Sequence, residues 1–123
     1  MTGFKWLEKK RHFNWMQKCL YCWETCEKHI TESIKDQKHL STLHYARDCA
    51  EICSMCIKFE AQQSTFFEQL CQVCANICDA CAAECEKSPH QTETLKECAE
   101  ACKICAAACR ETAANSGFQQ VTA

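Results

Sequence analysis

Five cysteines lie within residues 71–85, which read CQVCANICDACAAEC. The steps between them alternate between three and four residues. On an α-helix, residues three and four apart share one face, so all five thiols would point in the same direction. Thiolates act as nucleophiles and as soft metal ligands. This row of thiols therefore predicts covalent or metal chemistry along one side of a helix.

The other ten cysteines form three rows with the same spacing: Cys19, Cys22 and Cys26; Cys49, Cys53 and Cys56; and Cys98, Cys102, Cys105 and Cys109. Alternating steps of three and four are typical of the inward face of a helix in a left-handed bundle. Four rows predict four helices that share one core. We therefore expect an all-α fold, an antiparallel up-down-up-down four-helix bundle with a cysteine-lined core.

Breaks between the rows predict where the helices end. Thr65 and Glu68 have the spacing of a capping box that opens the third helix, and Pro89 ends that helix. The first connection falls within residues 33–41, and NSG at 115–117 ends the fourth helix. A chain of 123 residues is long enough for one core. We expect a single domain over residues 1–123, with residues 115–123 as a frayed tail.

Charge and composition narrow the classes of function. The net charge is −2, which argues against a nucleic-acid partner. No uninterrupted apolar stretch reaches the length of a membrane span, and the N-terminal residues lack the apolar region of a secretory signal. We therefore expect a cytoplasmic protein with neither a nucleic-acid nor a membrane partner.

Three uses of cysteine other than metal binding fit the sequence less well. A disulfide scaffold is disfavoured because fifteen is an odd number and because thiols along one helix face point in parallel directions. It stays an alternative for a secreted chain that has lost its signal. Cysteine as a small apolar residue explains one or two buried thiols, but not so many. A catalytic thiol needs one activated cysteine beside a base, so we do not expect an enzyme.

Electrostatics favours one metal over the others. A closed zinc site with four thiolates has a net charge of −2, so several such sites in a dry core would bury uncompensated charge. Cu(I) balances one thiolate, and soft thiolates select it. An iron–sulfur cluster needs four cysteines that converge on one point, which parallel rows do not favour. We expect storage of many Cu(I) ions; the alternatives are a zinc or iron–sulfur protein, or a copper chaperone or sensor.

Six CxxxC pairs could each hold Cu(I) between two sulfurs one helical turn apart. They are Cys22/Cys26, Cys49/Cys53, Cys74/Cys78, Cys81/Cys85, Cys98/Cys102 and Cys105/Cys109. The remaining three, Cys19, Cys56 and Cys71, could bridge between helices, so all fifteen cysteines are candidate metal ligands. The inward stripes continue on the first two helices through His12, Trp15 and Ile30, and through Thr42, Tyr45 and Glu60.

Three segments closely resemble bacterial copper storage proteins of the cytosolic branch: ARDCAEIC at 46–53, CANICDACAAECEK at 74–87 and ECAEACKICAAACR at 97–110. The resemblance implies a four-helix bundle whose core holds many Cu(I) ions, largely through CxxxC pairs, and which often assembles as a tetramer. Trp15, Thr42 and Tyr45 are not cysteine, so the capacity is expected to be lower than in members with more thiols. We expect a copper donor or acceptor protein, or a small thiol, as partner.

Histidines are additional candidate ligands. His12 continues the cysteine stripe of the first helix. The other four fall at one end of the expected bundle: His29, His39, His44 and His90. These four could form a mouth that passes Cu(I) to Cys85 and Cys98; alternatively, they are solvated loop histidines. His12 and His90 are the histidines that we add to the candidate metal ligands.

A second apolar stripe lies beside the cysteine face on three helices. It consists of Trp6, Phe13 and Leu20 on the first helix, Ile52, Met55 and Phe59 on the second, and Phe66, Leu70, Val73 and Ile77 on the third. A bundle needs one apolar stripe per helix, so the second stripe predicts a homo-oligomer, for which the resemblance implies a tetramer. The alternative is a wide intramolecular core. Met55 is expected to pack against neighbours rather than to bind metal.

Overall fold

The computed structural model describes the backbone of residues 2–115 and the side chains of residue 10 and residues 12–114. These residues form α1 (Thr2–Asp36), a short 3-10 helix (Leu40–Thr42), α2 (Leu43–Ala61), α3 (Phe67–Lys87) and α4 (Glu93–Asn115). No strand occurs within the described range. The predicted all-α four-helix fold is confirmed. The tail expected over residues 115–123 lies outside the described residues, except for Asn115 at the end of α4.

Contacts between sulfur atoms give the relative direction of α1 and α4. Cys22 approaches Cys102 and Cys26 approaches Cys98, each with an Sγ–Sγ distance of 3.7 Å. Residues later in α1 therefore contact residues earlier in α4. The two helices are antiparallel neighbours.

The same order of contacts relates α2 to α3. The Sγ–Sγ distance is 3.3 Å between Cys49 and Cys78 and 3.8 Å between Cys53 and Cys74. α1 and α3 each pack mainly against α2 and α4. Short connections over residues 37–42, 62–66 and 88–92 join consecutive helices. The four helices thus surround one axis, consistent with the expected up-down-up-down course.

The helix ends agree with the sequence at two places and differ at one. α1 ends at Asp36, within the predicted connection, and α3 ends at Lys87, just before Pro89. The capping box predicted at Thr65 is wrong, because the residue that caps α3 is Phe66, which makes no side-chain capping bond. The hydroxyl of Ser64 instead accepts a hydrogen bond from the Phe66 backbone N–H at 3.1 Å. Thr65 lies outside the first turn, one residue too early to cap it.

The core combines cysteine with alanine. Beside the cysteines, the buried residues of the four helices are mostly small: Ala46, Ala50, Ala75, Ala82, Ala99, Ala101, Ala106, Ala108 and Ala113. Small side chains allow helices to approach closely, which brings sulfur atoms of different helices within contact distance. Of the larger buried side chains, Trp15 and Phe67 lie at one end and Leu95 lies toward the other, while Ile52 is buried on α2 next to Cys53.

The inward stripes of α1 and α2 extend differently from the prediction. Tyr45 is 36% exposed, so its predicted inward position is wrong, and Ala46 is buried in its place. Continuing the alternation of four and three residues from Cys53 through Cys49 leads to position 46, because the two steps must average 3.5 residues per turn. By the same rule the stripe of α1 continues through His29, which is 1% exposed, rather than through Ile30.

Polar contacts tie α4 to both of its neighbours on the outside of the bundle. Tyr21 on α1 donates a hydrogen bond to Glu97 on α4 at 2.8 Å. Arg110 on α4 lies 2.7 Å from Asp79 on α3. These groups are largely solvent-exposed, so each contact contributes at most about 1 kcal/mol. They favour the observed order of helices but contribute much less than burial of the core.

Candidate metal site

All fifteen cysteines are fully buried and all are free thiols. Neighbouring sulfur atoms lie 3.3 to 4.0 Å apart, which is close but well beyond the disulfide bond length of about 2.05 Å. The rows of the four helices therefore merge into one continuous column of thiols along the bundle axis. The predicted cysteine-lined core is confirmed.

Most close sulfur contacts join different helices rather than the two ends of a CxxxC pair. Of the six predicted pairs, Cys74/Cys78 and Cys105/Cys109 are in contact within their helix, at 3.8 and 4.0 Å. One turn separates the Cα atoms of a pair by about 6 Å along the axis, so the two sulfurs are in contact only where the side chains lean toward each other, whereas facing helices bring sulfurs together directly. Cys19, expected to bridge helices, does so by contacting Cys105 on α4 at 3.6 Å.

Four groups of sulfurs could each surround a metal ion, since the sulfur atoms of each group lie within 4.8 Å of one another. They are Cys22/Cys53/Cys78/Cys105, Cys22/Cys26/Cys49/Cys102, Cys26/Cys81/Cys98/Cys102 and Cys19/Cys105/Cys109. Each group shares at least one sulfur with another group. Such sharing provides the bridging thiolates that a multi-ion copper–sulfur array requires.

Protons are distributed unevenly along the column. Hydrogen bonds from Cys105 and Cys19 lower the pKa of Cys109 to about 5. Hydrogen bonding to Cys71, together with burial, raises the pKa of Cys56. A thiol that stabilises a neighbouring thiolate by donating its own proton resists ionisation itself, so only some of the thiols ionise at once. Binding of a metal to the whole column must therefore displace protons.

Aromatic side chains close one end of the column. The indole Nε1–H of Trp15 donates a hydrogen bond to Cys109 Sγ at 3.4 Å, and the Trp15 ring packs edge-on against Phe67 with centroids 5.0 Å apart. His12 lies outside this pair: its side chain is 51% exposed and its Nδ1 is 3.2 Å from Glu60. The ligand role of His12 stays a prediction.

A hydrogen-bonded polar network closes the other end. The hydroxyl of Thr42 donates to the carbonyl of His39 at 2.7 Å, so it accepts from the Nε2–H of His29 at 2.6 Å. In the neutral ring, Nδ1 of His29 is then an acceptor and faces the hydroxyl of Ser33 at 3.4 Å. Both ring nitrogens of His29 are engaged inside the protein. The solvated-loop interpretation is therefore wrong for this histidine.

His39 differs from His29 because one of its ring nitrogens has no partner. Its Nδ1 is 3.0 Å from the hydroxyl of Ser88, whereas its Nε2 is buried without a hydrogen-bond partner. Burial, followed by electrostatic interaction with His29 and His90, lowers the pKa of His39. The ring is therefore neutral at pH 7, and a neutral Nε2 can offer a lone pair to a metal.

The two remaining histidines of this end, His44 and His90, are exposed, and the ligand role of His90 stays a prediction. Sequence reasoning missed Ser33 and the hydrogen bond from Trp15. A signal for Ser33 was present, because steps of three and four from Cys26 lead through His29 to Ser33. No sequence signal could reveal that an indole on α1 would reach a sulfur on α4.

The chemistry of the site is that of a soft donor set enclosed by helices. Within the part of the chain that the structure describes, no helix is long and apolar enough to cross a bilayer. Met55 is 40% exposed, unlike the fully buried thiols, and its predicted packing role stays a prediction. The donors that remain for a metal are thiolates, which favour soft ions such as Cu(I).

Comparison with known proteins agrees with this chemistry. The chain is 36% identical over 65 residues to the uncharacterized cysteine-rich protein YhjQ of Bacillus subtilis strain 168, a match that spans 50% of the chain and 60% of the relative. Among solved structures, it is similar to Cu(I)-bound copper storage protein BsCsp3, with a TM-score of 0.78 and 34% identity over 84% of the chain and 98% of the relative.

Two further structures are similar over most of their length. Apo-Csp3 from Bacillus subtilis gives a TM-score of 0.72 and 32% identity over 80% of the chain and 95% of that protein. The Nmul_A1745 protein from Nitrosospira multiformis gives a TM-score of 0.76 and 31% identity over 88% of the chain and 99% of that protein. The family of copper storage proteins (Csp) matches residues 8–114, which include every helix row of cysteines. The chain belongs to the copper storage protein family.

Proposed function

We propose that this protein stores Cu(I), holding many ions per chain as thiolate complexes in the bundle core. The observation that carries the proposal is the column of fifteen buried thiols, in which groups of three or four sulfurs overlap. The similarity to BsCsp3, a Cu(I)-bound copper storage protein, supports it. Anaerobic titration of the reduced protein with Cu(I) against a competing chelator tests it.

Zinc is the second candidate metal, because four sulfurs can surround a tetrahedral ion. The overlap of the groups argues against it. The group that contains Cys49 shares Cys22 with one four-sulfur group and both Cys26 and Cys102 with the other. At most two four-sulfur groups can therefore close around separate zinc ions, each with a buried charge of −2. Equal numbers of Cu(I) and thiolate are neutral and can use the whole column.

Sulfur sharing also supplies a way for ions to move. An ion held in one group can exchange one sulfur at a time and pass to the next group, because neighbouring groups share a sulfur. Cys22 joins two four-sulfur groups, and Cys105 joins one of them to the three-sulfur group. At each step the ion keeps a thiolate ligand, so no step requires a bare ion in the dry core. We propose that all fifteen cysteines take part as ligands.

We propose that the protein is a cytoplasmic, single-domain store with no enzymatic activity. Many of its sulfur atoms lie 4.0 Å or less from another sulfur, so an oxidising compartment would readily join them as disulfides. A reducing compartment keeps the donors available. In the described residues every thiol is buried, whereas catalysis requires one accessible, activated nucleophile.

We propose that Cu(I) enters and leaves at the polar end of the column. His39 supports this, because its Nε2 is buried and unpartnered while its Nδ1 faces Ser88. Ser88 directly follows α3, three residues beyond Cys85, which is one of the outermost thiols. A donor protein or a small thiol would deliver the ion to this end.

Replacement of His39 by leucine tests the mouth. We expect uptake of Cu(I) to slow several-fold while the final capacity stays unchanged, because the side chain acts on the path and not in the store. His44→Leu is the matched control, since His44 is exposed at the same end. Stopped-flow measurement of copper transfer from a chelator compares the rates. Equal rates for wild type and His39→Leu would contradict this role.

We also propose a homo-oligomer that covers the outer face of α2 and α3. On this face Met55, Phe66 and Val73 are 40%, 62% and 47% exposed. Leu70 and Ile77, assigned to the same stripe, instead pack partly against the core. The second apolar stripe therefore serves two purposes, and only its outer part is free to contact another subunit.

Substitution of both Phe66 and Val73 by glutamate should give a soluble monomer that still binds copper. Both side chains are exposed, so the monomer fold should lose little stability, whereas two buried charges would oppose assembly. Ile34→Glu with Leu40→Glu is the control, because these residues are 51% and 52% exposed outside that face. Analytical ultracentrifugation measures the mass. A wild-type protein that sediments as a monomer would contradict the proposal.

A further inference from the structure

The three-sulfur group at the aromatic end has a regular geometry. Cys19, Cys105 and Cys109 form a nearly equilateral triangle with Sγ–Sγ distances of 3.6, 3.9 and 4.0 Å. The point equidistant from the three sulfurs lies about 2.2 Å from each, within 0.2 Å of a metal–thiolate bond of about 2.3 Å. The triangle can therefore accept one soft ion in trigonal coordination without movement of the helices.

Trp15 takes the place of a fourth sulfur beside this triangle. It occupies the inward position one turn before Cys19, and its Nε1–H donates to Cys109 Sγ at 3.4 Å. The indole is 2% exposed and its ring is held against Phe67, with an interplanar angle of 86°. An indole nitrogen can only donate, so its orientation favours an acceptor sulfur at Cys109.

The charge of a trigonal site explains why such a donor is useful. One Cu(I) ion bound by three thiolates leaves a net negative charge, unlike the equal numbers of Cu(I) and thiolate proposed for the rest of the column. Water cannot offset this charge, because all three cysteines are fully buried. A fixed N–H group can offset part of this charge, because hydrogen bonds to charged acceptors are stronger than those to neutral ones.

We propose that Cys19, Cys105 and Cys109 form a distinct three-coordinate Cu(I) site and that Trp15 is its positioning residue, which holds the Cys109 thiolate and seals this end from water. The inference rests on the proposed storage function. Trp15 and His29 are separated by about 21 Å along α1, so the site lies at the end opposite the mouth. Its ion should therefore be the last to leave.

Trp15→Phe tests the role of the indole N–H, because it keeps an aromatic ring beside Phe67 and removes the donor. Trp23→Phe is the matched control, since Trp23 donates its indole N–H to Glu27 at 3.1 Å on the outer surface. Loaded proteins are challenged anaerobically with a Cu(I) chelator. In Trp15→Phe we expect about one ion per chain to leave roughly tenfold faster than the slowest ion of the wild type. Equal release in all three proteins would overturn the proposal.

A second measurement separates the hydrogen bond from simple loss of packing. In wild-type protein labelled with ¹⁵N-tryptophan, the indole N–H resonance of Trp15 is assigned by its absence in Trp15→Phe. We expect this resonance to shift when Cu(I) binds the Cys109 sulfur, because the ion changes the charge on the hydrogen-bond acceptor, while the resonance of Trp23 stays in place. A Trp15 resonance that does not move would overturn the proposal. A low total capacity for copper would refute the storage proposal but not the proposal for Trp15, because both measurements here concern one site and not the total number of ions.

Discussion

Anaerobic titration of the reduced protein should end at roughly 10 to 16 Cu(I) ions per chain, with the release of about one proton per ion. If each sulfur bridges two ions and each ion takes two sulfurs, ions and thiols are equal in number, and the chain has fifteen thiols. Protons must leave because burial and mutual hydrogen bonds keep most of the buried thiols protonated before the metal binds. Competition with a chelator of known affinity measures the number of ions, and a pH-sensitive dye measures the protons.

Single substitutions should lower this capacity according to the position of the sulfur in the column. Cys22 belongs to two four-sulfur groups, whereas Cys85 belongs to none. We therefore expect Cys22→Ala to lose several ions and the control Cys85→Ala to lose about one. Both variants should stay helical, because alanine already lines much of the core. Saturation of the wild type near three or four ions, at whatever affinity, would refute storage and indicate a discrete site instead.

The second large effect should be seen in stability. The metal-free protein should be folded, with a helical circular dichroism spectrum that does not change on loading, because neutral thiols pack as small apolar side chains. We expect copper to bind the folded chain far better than the unfolded chain, because only folding brings the thiols together. A single ion present at a thousandfold excess over its Kd adds about 4 kcal/mol to the free energy of unfolding. Several ions should therefore raise Tm by tens of degrees.

Thermal unfolding of the metal-free and loaded forms, followed by circular dichroism, checks this expectation. Removal of copper with a chelator should return Tm to its starting value, which provides the control for irreversible changes. A metal-free chain without helical structure would contradict the prebuilt core. It would then resemble small zinc domains, in which metal binding supplies the free energy of folding.

Periodicity in the sequence was sufficient for the fold and for the inward position of the cysteines. Steps of three and four between cysteines predict four helices with thiols on one face, and every cysteine is buried in the structure. This inference succeeds because side-chain direction on a helix depends only on local geometry. Errors arose where the number of residues between inward positions was chosen wrongly, as for Tyr45, or where a helix cap was placed one residue early, as for Thr65.

Contacts between sulfurs could not be derived in the same way. The sequence suggested CxxxC pairs within helices, whereas the structure places most close contacts between helices, such as Cys49 with Cys78 at 3.3 Å. Which thiols meet depends on the relative height and separation of the helices, and the alanines and connections set these together.

Contacts at the two ends of the column could not be derived from the sequence either. The hydrogen bond from Trp15 to Cys109 joins residues 94 positions apart, and the engagement of His29 by Thr42 requires the 3-10 helix to lie against α1. Local sequence determined which residues face inward, and tertiary packing decided which of them meet, because partners distant in sequence are brought together only when the whole bundle forms.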